Sequence, residues 1–199
     1  MKIGILALQG AFIEHIQMFG RIGVEAVEIR LPVQLEQVAG LVIPGGESTT
    51  MMKLMHDYGL VAPIKKMAAR NIPVWGTCAG MICLAKTAVN PDSSAMETLA
   101  LMDITVRRNA FGRQVDSFEA ELQISGLQGG PFHGVFIRAP YIEKAGIGVQ
   151  ALSALPDGEI VAARQGNLLA TSFHPELSGD PRIHRYFTDM ALKEISKFQ

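Results

Sequence analysis

Residues 71–85 read Asn71-Ile72-Pro73-Val74-Trp75-Gly76-Thr77-Cys78-Ala79-Gly80-Met81-Ile82-Cys83-Leu84-Ala85. This pattern predicts a buried strand, one sharp turn and then a helix. At the turn Cys78 lies between Gly76 and Gly80, and the two glycines allow the tight backbone of a nucleophile elbow. The helix N-terminus beside the sulfur favours the thiolate and can donate to an oxygen that becomes negative. The stretch therefore predicts a nucleophile and part of an oxyanion hole.

The elbow alone is also compatible with ordinary packing, because cysteine is among the most buried residue types. Cys83 illustrates this alternative, since it lies in an apolar helical run and is predicted to have no catalytic role. These two cysteines are too close together to form a disulfide framework, which favours a reducing compartment. A catalytic role for Cys78 requires partners from elsewhere in the chain.

The bulk composition predicts one globular domain covering residues 1–199. Apolar residues make up 48% of the chain and charged residues 19%, which is typical of an enzyme-like domain. The net charge of −1 does not indicate binding to nucleic acid or to an anionic membrane, both of which attract basic proteins. No run approaches the ~20 apolar residues needed to span a bilayer. We therefore predict a soluble, cytoplasmic protein.

The order of apolar runs predicts an α/β fold. In the first part of the chain, strands at 2–8, 24–29, 39–43 and 72–77 alternate with helices at 11–22, from 47, and at 60–70. This alternation is typical of a mostly parallel sheet, whose functional sites lie beyond the carboxyl ends of the strands. After the loop at 89–94, strands are predicted at 101–107, 115–124, 132–138, 147–155, 159–164 and 168–173, before a closing helix at 181–197. The strands from 101 to 164 follow one another without helices between them, which indicates an antiparallel extension of the sheet, and 168–173 is predicted as a last apolar strand.

The predicted partners of Cys78 follow the last strand, at His174-Pro175-Glu176. In extended chain, residues two apart point to the same side, so His174 and Glu176 can project together into the strand-end crevice. The imidazole could accept the thiol proton, and the carboxylate could orient the ring. Taken alone, the same tripeptide fits a polar turn equally well.

The remaining histidines are His15, His56, His133 and His184. All four are predicted to be solvated or capping residues. The chain has no Cys-x-x-Cys and no helical pair of histidines at metal-ligand spacing, so no metal site is predicted.

Three motifs, in order along the chain, give the sequence a family resemblance. Pro44-Gly45-Gly46, Gly76-Thr77-Cys78-Ala79-Gly80 and His174-Pro175-Glu176 together resemble the class I (triad) glutamine amidotransferases. Four longer runs are most similar to the branch that serves as glutaminase subunits of pyridoxal 5′-phosphate synthases. These are Gly4-Ile5-Leu6-Ala7-Leu8-Gln9-Gly10-Ala11, Pro44 to Met51, Arg108 to Glu119 and Gly134-Val135-Phe136-Ile137-Arg138-Ala139-Pro140.

The resemblance implies a flavodoxin-like three-layer sandwich and the hydrolysis of L-glutamine to L-glutamate and ammonia. It implies that Cys78 is the nucleophile, His174 the base and then the acid, and Glu176 the residue that orients His174. It implies glutamine binding by Gly46, Glu47, Ser48, Arg108, Ile137 and Arg138, and an oxyanion hole from the N–H groups of Gly46 and Ala79. An arginine fork suits the carboxylate of a free amino acid.

The resemblance also implies a partner and no cofactor. The partner is the barrel-shaped synthase subunit, which makes pyridoxal 5′-phosphate from ammonia, a pentose phosphate and a triose phosphate. Docking to this subunit is expected to complete the oxyanion hole near Gly46. The chain departs from the family pattern at Arg107, where Glu is frequent, and at Ala100, where Gly is usual.

Three alternatives stay open from sequence alone. The first is a triad glutaminase for another acceptor, for instance in imidazole, purine or aminobenzoate synthesis. The second is another cysteine hydrolase or peptidase on a related sheet. The third is a non-catalytic binding module, which the complete Cys-His-Glu set disfavours.

Overall fold

A computed structural model describes residues 1–90, 92–108 and 117–196. The stretch from Asn109 to Asp116, part of one run that carried the family resemblance, therefore lies outside the described residues, as does Pro91. The helices in the described parts are α1 (Phe12–Arg21), α2 (Ser48–Asp57), α3 (Val61–Ala69), α4 (Ala79–Leu84) and α5 (Arg182–Ile195). Short 3₁₀ turns cover Pro32–Gln37 and Pro175–Leu177. None of these helices is long and apolar enough to cross a bilayer.

The parallel half of the main sheet contains the strands that precede the three motifs. Its strands are β1 (Lys2–Leu6), β2 (Glu25–Ile29), β3 (Leu41–Ile43), β4 (Val74–Thr77) and β13 (Leu168–Thr171). Their spatial order is β2-β1-β3-β4-β13, and every neighbouring pair is parallel. The carboxyl ends of β3, β4 and β13 are therefore adjacent, and the motifs at Gly45, Cys78 and His174 follow these three ends directly.

The second half of the main sheet is mixed. It adds β12 (Ile160–Gln165), β11 (Gln150–Ala154), β10 (Tyr141–Ala145), β7 (Met102–Arg107), β5 (Ala85–Val89) and β6 (Ala95–Met96). Most of these pairings are antiparallel, but β5 and β7 are parallel. The sequence pattern missed β5, β6 and β10, because these strands are short or interrupted by charged residues such as Lys86, Glu143 and Lys144.

One part of the predicted extension is wrong. The strands predicted at 115–124 and 132–138 are observed as β8 (Ser117–Leu122) and β9 (Phe132–Ile137), but they form a separate two-stranded antiparallel sheet. Leu122, Phe132 and Phe136 from this hairpin pack with Phe173, which follows β13. The hairpin therefore covers the chain that leads to His174, and His174 N–H donates to the carbonyl of Val135 at 2.8 Å.

The core consists of two layers, one on each face of the parallel strands. Successive strand residues alternate between them, so Val42 and Trp75 pack on the side of α1 and α5, and Ile43 and Val74 pack on the side of α2, α3 and α4. This is the period of two expected of a sheet covered on both faces. The observed helix–sheet–helix layers confirm the predicted α/β fold class.

Candidate active site

The elbow at Cys78 is formed by close backbone contacts. Cys78 has φ 49° and ψ −106°, a conformation that costs of order 1–3 kcal/mol for a residue with a side chain. A Cβ at Gly76 would overlap the backbone of Gly80, and a Cβ at Gly80 would overlap the carbonyl of Ile43. The two glycines are therefore required by the packing of α4 against β3 and β4, as the Gly-x-Cys-x-Gly pattern predicted. Cys78 N–H donates to the carbonyl of Thr171 at 2.8 Å, which ties the elbow to β13.

His174 and Glu176 form a buried pair next to this elbow. Nδ1 of His174 lies 2.7 Å from Oε1 of Glu176, and both residues are buried. The predicted contact is present, but the predicted backbone is wrong. His174 precedes the 3₁₀ turn at Pro175–Leu177, so a tight turn and not an extended strand brings the two side chains together.

The electrostatics of the pair favour charged forms. Burial lowers the pKa of His174, but hydrogen bonds to Cys78 and Glu176, together with their charges, raise it to about 10. Burial raises the pKa of Glu176, but the electrostatic interaction with His15 and the hydrogen bond with His174 outweigh this and hold the pKa below its ordinary value. An imidazolium between a sulfur and a carboxylate is the expected resting state of an activated cysteine.

Glu47 and Arg108 form a second charged pair at the mouth of the site. Glu47 caps α2 by accepting from the N–H groups of Thr49 and Thr50 at 3.1 and 2.6 Å. The sequence predicted a helix from residue 47, and Glu47 is its N-cap. Its other contact is with Nη2 of Arg108, 3.3 Å from Oε1. Nη1 of Arg108 donates to Asn90 at 2.6 Å, and its buried Nε has no hydrogen-bond partner among the described residues.

A cavity of about 360 Å³ joins these groups. Nine of the ten residues predicted for the site line it, and the exception is Glu176, which is buried behind His174. The nine are Gly46, Glu47, Ser48, Cys78, Ala79, Arg108, Ile137, Arg138 and His174. Sγ of Cys78 faces the carbonyl oxygen of Ile137 at 3.8 Å.

Gln9 and Ile82 also line the cavity and were not predicted. Oε1 of Gln9 accepts from Glu47 N–H at 2.9 Å, and Ala11 N–H donates to the carbonyl of Gly45 at 3.0 Å. The turn before α1 therefore fixes the Gly45-Gly46 segment. Gln9 lies within a run that carried the family resemblance, but a polar residue after a strand has no sequence signal for this specific contact.

The predictions for two histidines are wrong. His15 and His184 are fully buried, and Nε2 of His15 lies 3.3 Å from Oε2 of Glu176. His15 shares the inward face of α1 with Met18 and Phe19, and this spacing could have indicated burial. His56 and His133 are partly exposed, as predicted, and pair with surface glutamates. No group of three or more potential metal ligands occurs in the described parts of the chain.

Comparison with known proteins assigns the family. The model of the SNO glutamine amidotransferase family matches residues 5–193. The chain belongs to this family. The predicted resemblance to glutamine amidotransferases is therefore confirmed.

Individual relatives of this glutamine amidotransferase cover nearly its whole length. The pyridoxal 5′-phosphate synthase subunit PdxT of Dehalococcoides mccartyi is 63% identical over 191 residues, covering 96% of this chain and 97% of its own. The protein of the same name from Herpetosiphon aurantiacus is 59% identical, covering 94% of this chain and 98% of its own. A crystal structure described as a glutamine amidotransferase has 48% identity and a TM-score of 0.88, covering 95% of this chain and 98% of its own.

Proposed function

We propose that this glutamine amidotransferase hydrolyses L-glutamine to L-glutamate and ammonia, with residues 1–199 acting as one glutaminase domain. We further propose that the ammonia passes to the barrel-shaped synthase subunit of a pyridoxal 5′-phosphate synthase. The observation that carries the proposal is the meeting of Cys78 with the His174–Glu176 pair beside a polar cavity. The names of the relatives support the choice of acceptor over the imidazole, purine and aminobenzoate alternatives.

The cavity suits a small zwitterionic amino acid. We infer that Arg108 binds the substrate carboxylate, because it lines the cavity and its Nε has no hydrogen-bond partner among the described residues. Glu47 lies beside it and can attract the substrate ammonium group. Burial raises the pKa of the Glu47 carboxyl, but hydrogen bonds with Thr50 and Thr49 outweigh this and lower it to about 2, so Glu47 is ionised at neutral pH. Gly46, Ser48, Ile137 and Arg138 complete the pocket.

The first half of the reaction forms a thioester. The Cys78 thiolate attacks the side-chain amide carbon of glutamine, and the carbonyl oxygen becomes an oxyanion. The N–H groups of Ala79 and Gly46 stabilise this charge. The His174 imidazolium then donates its proton to the amide nitrogen, the C–N bond breaks, and ammonia leaves.

The second half releases glutamate. Neutral His174 accepts a proton from water, the resulting hydroxide attacks the thioester, and the C–S bond breaks to regenerate the Cys78 thiolate and imidazolium. Glu176 holds His174 in the required orientation and stabilises its charge in both halves. The chemistry uses only side chains, backbone N–H groups and water.

The synthase subunit is proposed to activate the glutaminase as well as to consume its product. The Gly45-Gly46 segment is held by contacts with Gln9 and Ala11, so a partner that shifts this turn can reorient the Gly46 N–H. We expect ammonia release to be faster with the synthase subunit present. Equal rates with and without it would contradict this part of the proposal.

The decisive experiment is labelling with a glutamine-mimicking electrophile, followed by mass analysis of peptides. Cys83 serves as an internal control, because complete burial raises its pKa to about 12 and keeps it a thiol. We expect the label on Cys78 in the wild type and in Cys83→Ala, and none in Cys78→Ala. Ammonia release from glutamine should be lost in Cys78→Ala and retained in Cys83→Ala. Label on Cys83, or turnover by Cys78→Ala, would refute the proposed nucleophile.

A further inference from the structure

Two buried histidines that the proposed chemistry does not use lie directly behind the His174–Glu176 pair. His15 comes from α1 and His184 from α5, and both are fully buried. Nδ1 of His15 and Nε2 of His184 are 2.9 Å apart. Trp75 packs edge-on against both rings, with centroids 5.4 and 5.0 Å away. Both imidazole rings therefore lie against the buried indole of Trp75.

The other edge of His15 points toward the carboxylate of Glu176. Nε2 of His15 lies 3.3 Å from Oε2 of Glu176 and 3.3 Å from Oγ1 of Thr77. The N–H direction satisfies hydrogen-bond geometry with Thr77 only, so the contact with the carboxylate is electrostatic. Among the described residues, Oε2 has no hydrogen-bond partner, whereas Oε1 pairs with His174. Stabilisation of the second oxygen of this buried carboxylate thus depends on its electrostatic contact with His15.

The contacts determine where the protons of the two histidines lie. Burial lowers the pKa of both imidazoles, so each is neutral and carries one N–H at neutral pH. Nδ1 of His184 is buried without a partner among the described residues, and an unpaired acceptor there is better tolerated than an unpaired N–H. Nε2 of His184 therefore donates to Nδ1 of His15. This leaves the Nε2–H of His15 directed at Thr77, with Oε2 of Glu176 also 3.3 Å from the same nitrogen.

We propose that His15, held in this tautomer by His184, is a positioning residue that fixes the second oxygen of Glu176 and thereby aims His174. The inference rests on the proposed function, because the reaction is the glutamine hydrolysis proposed above. His15 does not line the cavity in which the substrate is proposed to bind. His15 would act like the residues that hydrogen-bond to the ligands of a metal site and hold those ligands in orientation. Mutation of such residues typically reduces activity 10–100-fold.

Within the described parts of the chain, four charged or titratable groups interact with His15. Glu176 faces His15 and His174, and His15 faces Glu176, His174, His184 and, more weakly, Glu14. Loss of the His15 N–H leaves Oε2 of Glu176 buried and uncompensated, so the pKa of Glu176 should rise in His15→Ala. Protonated Glu176 cannot support the His174 imidazolium, so the acid limb of the kcat profile should move to higher pH.

The first test is steady-state glutamine hydrolysis across pH. We expect His15→Ala to lower kcat roughly 10–100-fold with KM changed less than about twofold. His15→Gln places an amide N–H close to the position of Nε2 and should restore most of kcat and the wild-type acid limb. Thr77→Val should keep the acid limb in place. If Thr77→Val moves the limb as His15→Ala does, the N–H of His15 acts through Thr77 and the proposal is wrong.

A double-mutant cycle separates positioning from packing. If His15 acts through Glu176, His15→Ala should reduce kcat less than about twofold in a Glu176→Gln background. If His15 is only a packing residue, the two effects should multiply, and the proposal fails. Thermal unfolding of each variant checks that the fold is retained.

A measurement that does not require turnover can test the positioning role of His15 separately from the proposed glutaminase function. The side-chain carboxyl carbon of Glu176 can be titrated by NMR in the wild type, His15→Ala and His15→Gln. A higher pKa in His15→Ala alone supports the inference even if the acyl substrate is not glutamine. Identical titrations overturn it, whereas a wild type that releases no ammonia from glutamine overturns only the proposed function.

Discussion

The backbone of Gly45 lies against the imidazole of His174. A Cβ added at residue 45 would lie 3.0 Å from Nδ1 of His174 and would overlap Cε1. Gly45→Ala should therefore push the ring away from Cys78. A misplacement of about 1 Å can reduce a catalysed rate roughly 100-fold, and we expect a loss of this order in ammonia release from glutamine.

Gly20 provides the matched control for this substitution. It lies near the end of α1 with open space around the position of its Cβ, so Gly20→Ala should leave turnover unchanged. It should also raise the free energy of unfolding by up to about 1 kcal/mol, since alanine is the better helix former. Wild-type turnover by Gly45→Ala would show that the ring can move without loss.

Arg108 is predicted to determine the affinity for the substrate carboxylate. Arg108→Gln removes the charge that the carboxylate pairs with, so KM for glutamine should rise roughly 10- to 100-fold, with a smaller change in kcat. Initial-rate measurements at several glutamine concentrations separate the two constants.

The neighbouring Arg107 is the control for Arg108. Its Nη2 pairs with Oε1 of Glu143 at 2.6 Å, across β7 and β10, and it does not line the cavity. Arg107→Gln should leave KM within about twofold of the wild type, because a partly exposed surface pair contributes little. Equal rises in KM for both variants would indicate a general electrostatic effect and not a specific contact.

The titration of His174 should depend on Cys78. Burial lowers the pKa of His174, but its partners Cys78 and Glu176 raise it from 6.5 to about 10, so protonated His174 stabilises the fold. This contribution is complete below pH 6.5 and is lost as the pH rises through about 10. In Cys78→Ser the sulfur is absent, and NMR titration of the ring should give a lower pKa than in the wild type. An unchanged pKa would mean that the sulfur does not support the imidazolium.

The backbone at Ala100 should be strained, and a glycine at this position should relieve the strain. Its φ of 52° is left-handed, a conformation that glycine adopts without a steric cost from a Cβ. Ala100→Gly should raise the free energy of unfolding by about 0.5–1 kcal/mol, because relief of left-handed strain exceeds the entropy that glycine loses on folding. Denaturant unfolding measures this difference, and a destabilised variant would contradict it.

The success of the sequence predictions depended on whether the signal was local. The elbow at Cys78 follows from two glycines and flanking apolar runs, and the alternation of strands and helices predicted β1 to β4 of the parallel half of the sheet. The hairpin of β8 and β9 was assigned to the wrong sheet, because period-two patterning identifies a strand but not its pairing partner. The turn at Pro175 was predicted as extended chain, since a proline is compatible with both conformations.

The sequence by itself determined the fold class, the elbow and nine of the residues that line the cavity, because these follow from local patterning and from motifs with a family resemblance. Only the tertiary structure decided what lies behind Glu176. His15 and His184 are 169 residues apart in the chain, and their contact arises because α1 and α5 pack on the same face of the sheet. The spacing of His15 with Met18 and Phe19 could have indicated that the ring is buried, but no local feature identifies the residue that it contacts. That residue comes from the distant end of the chain.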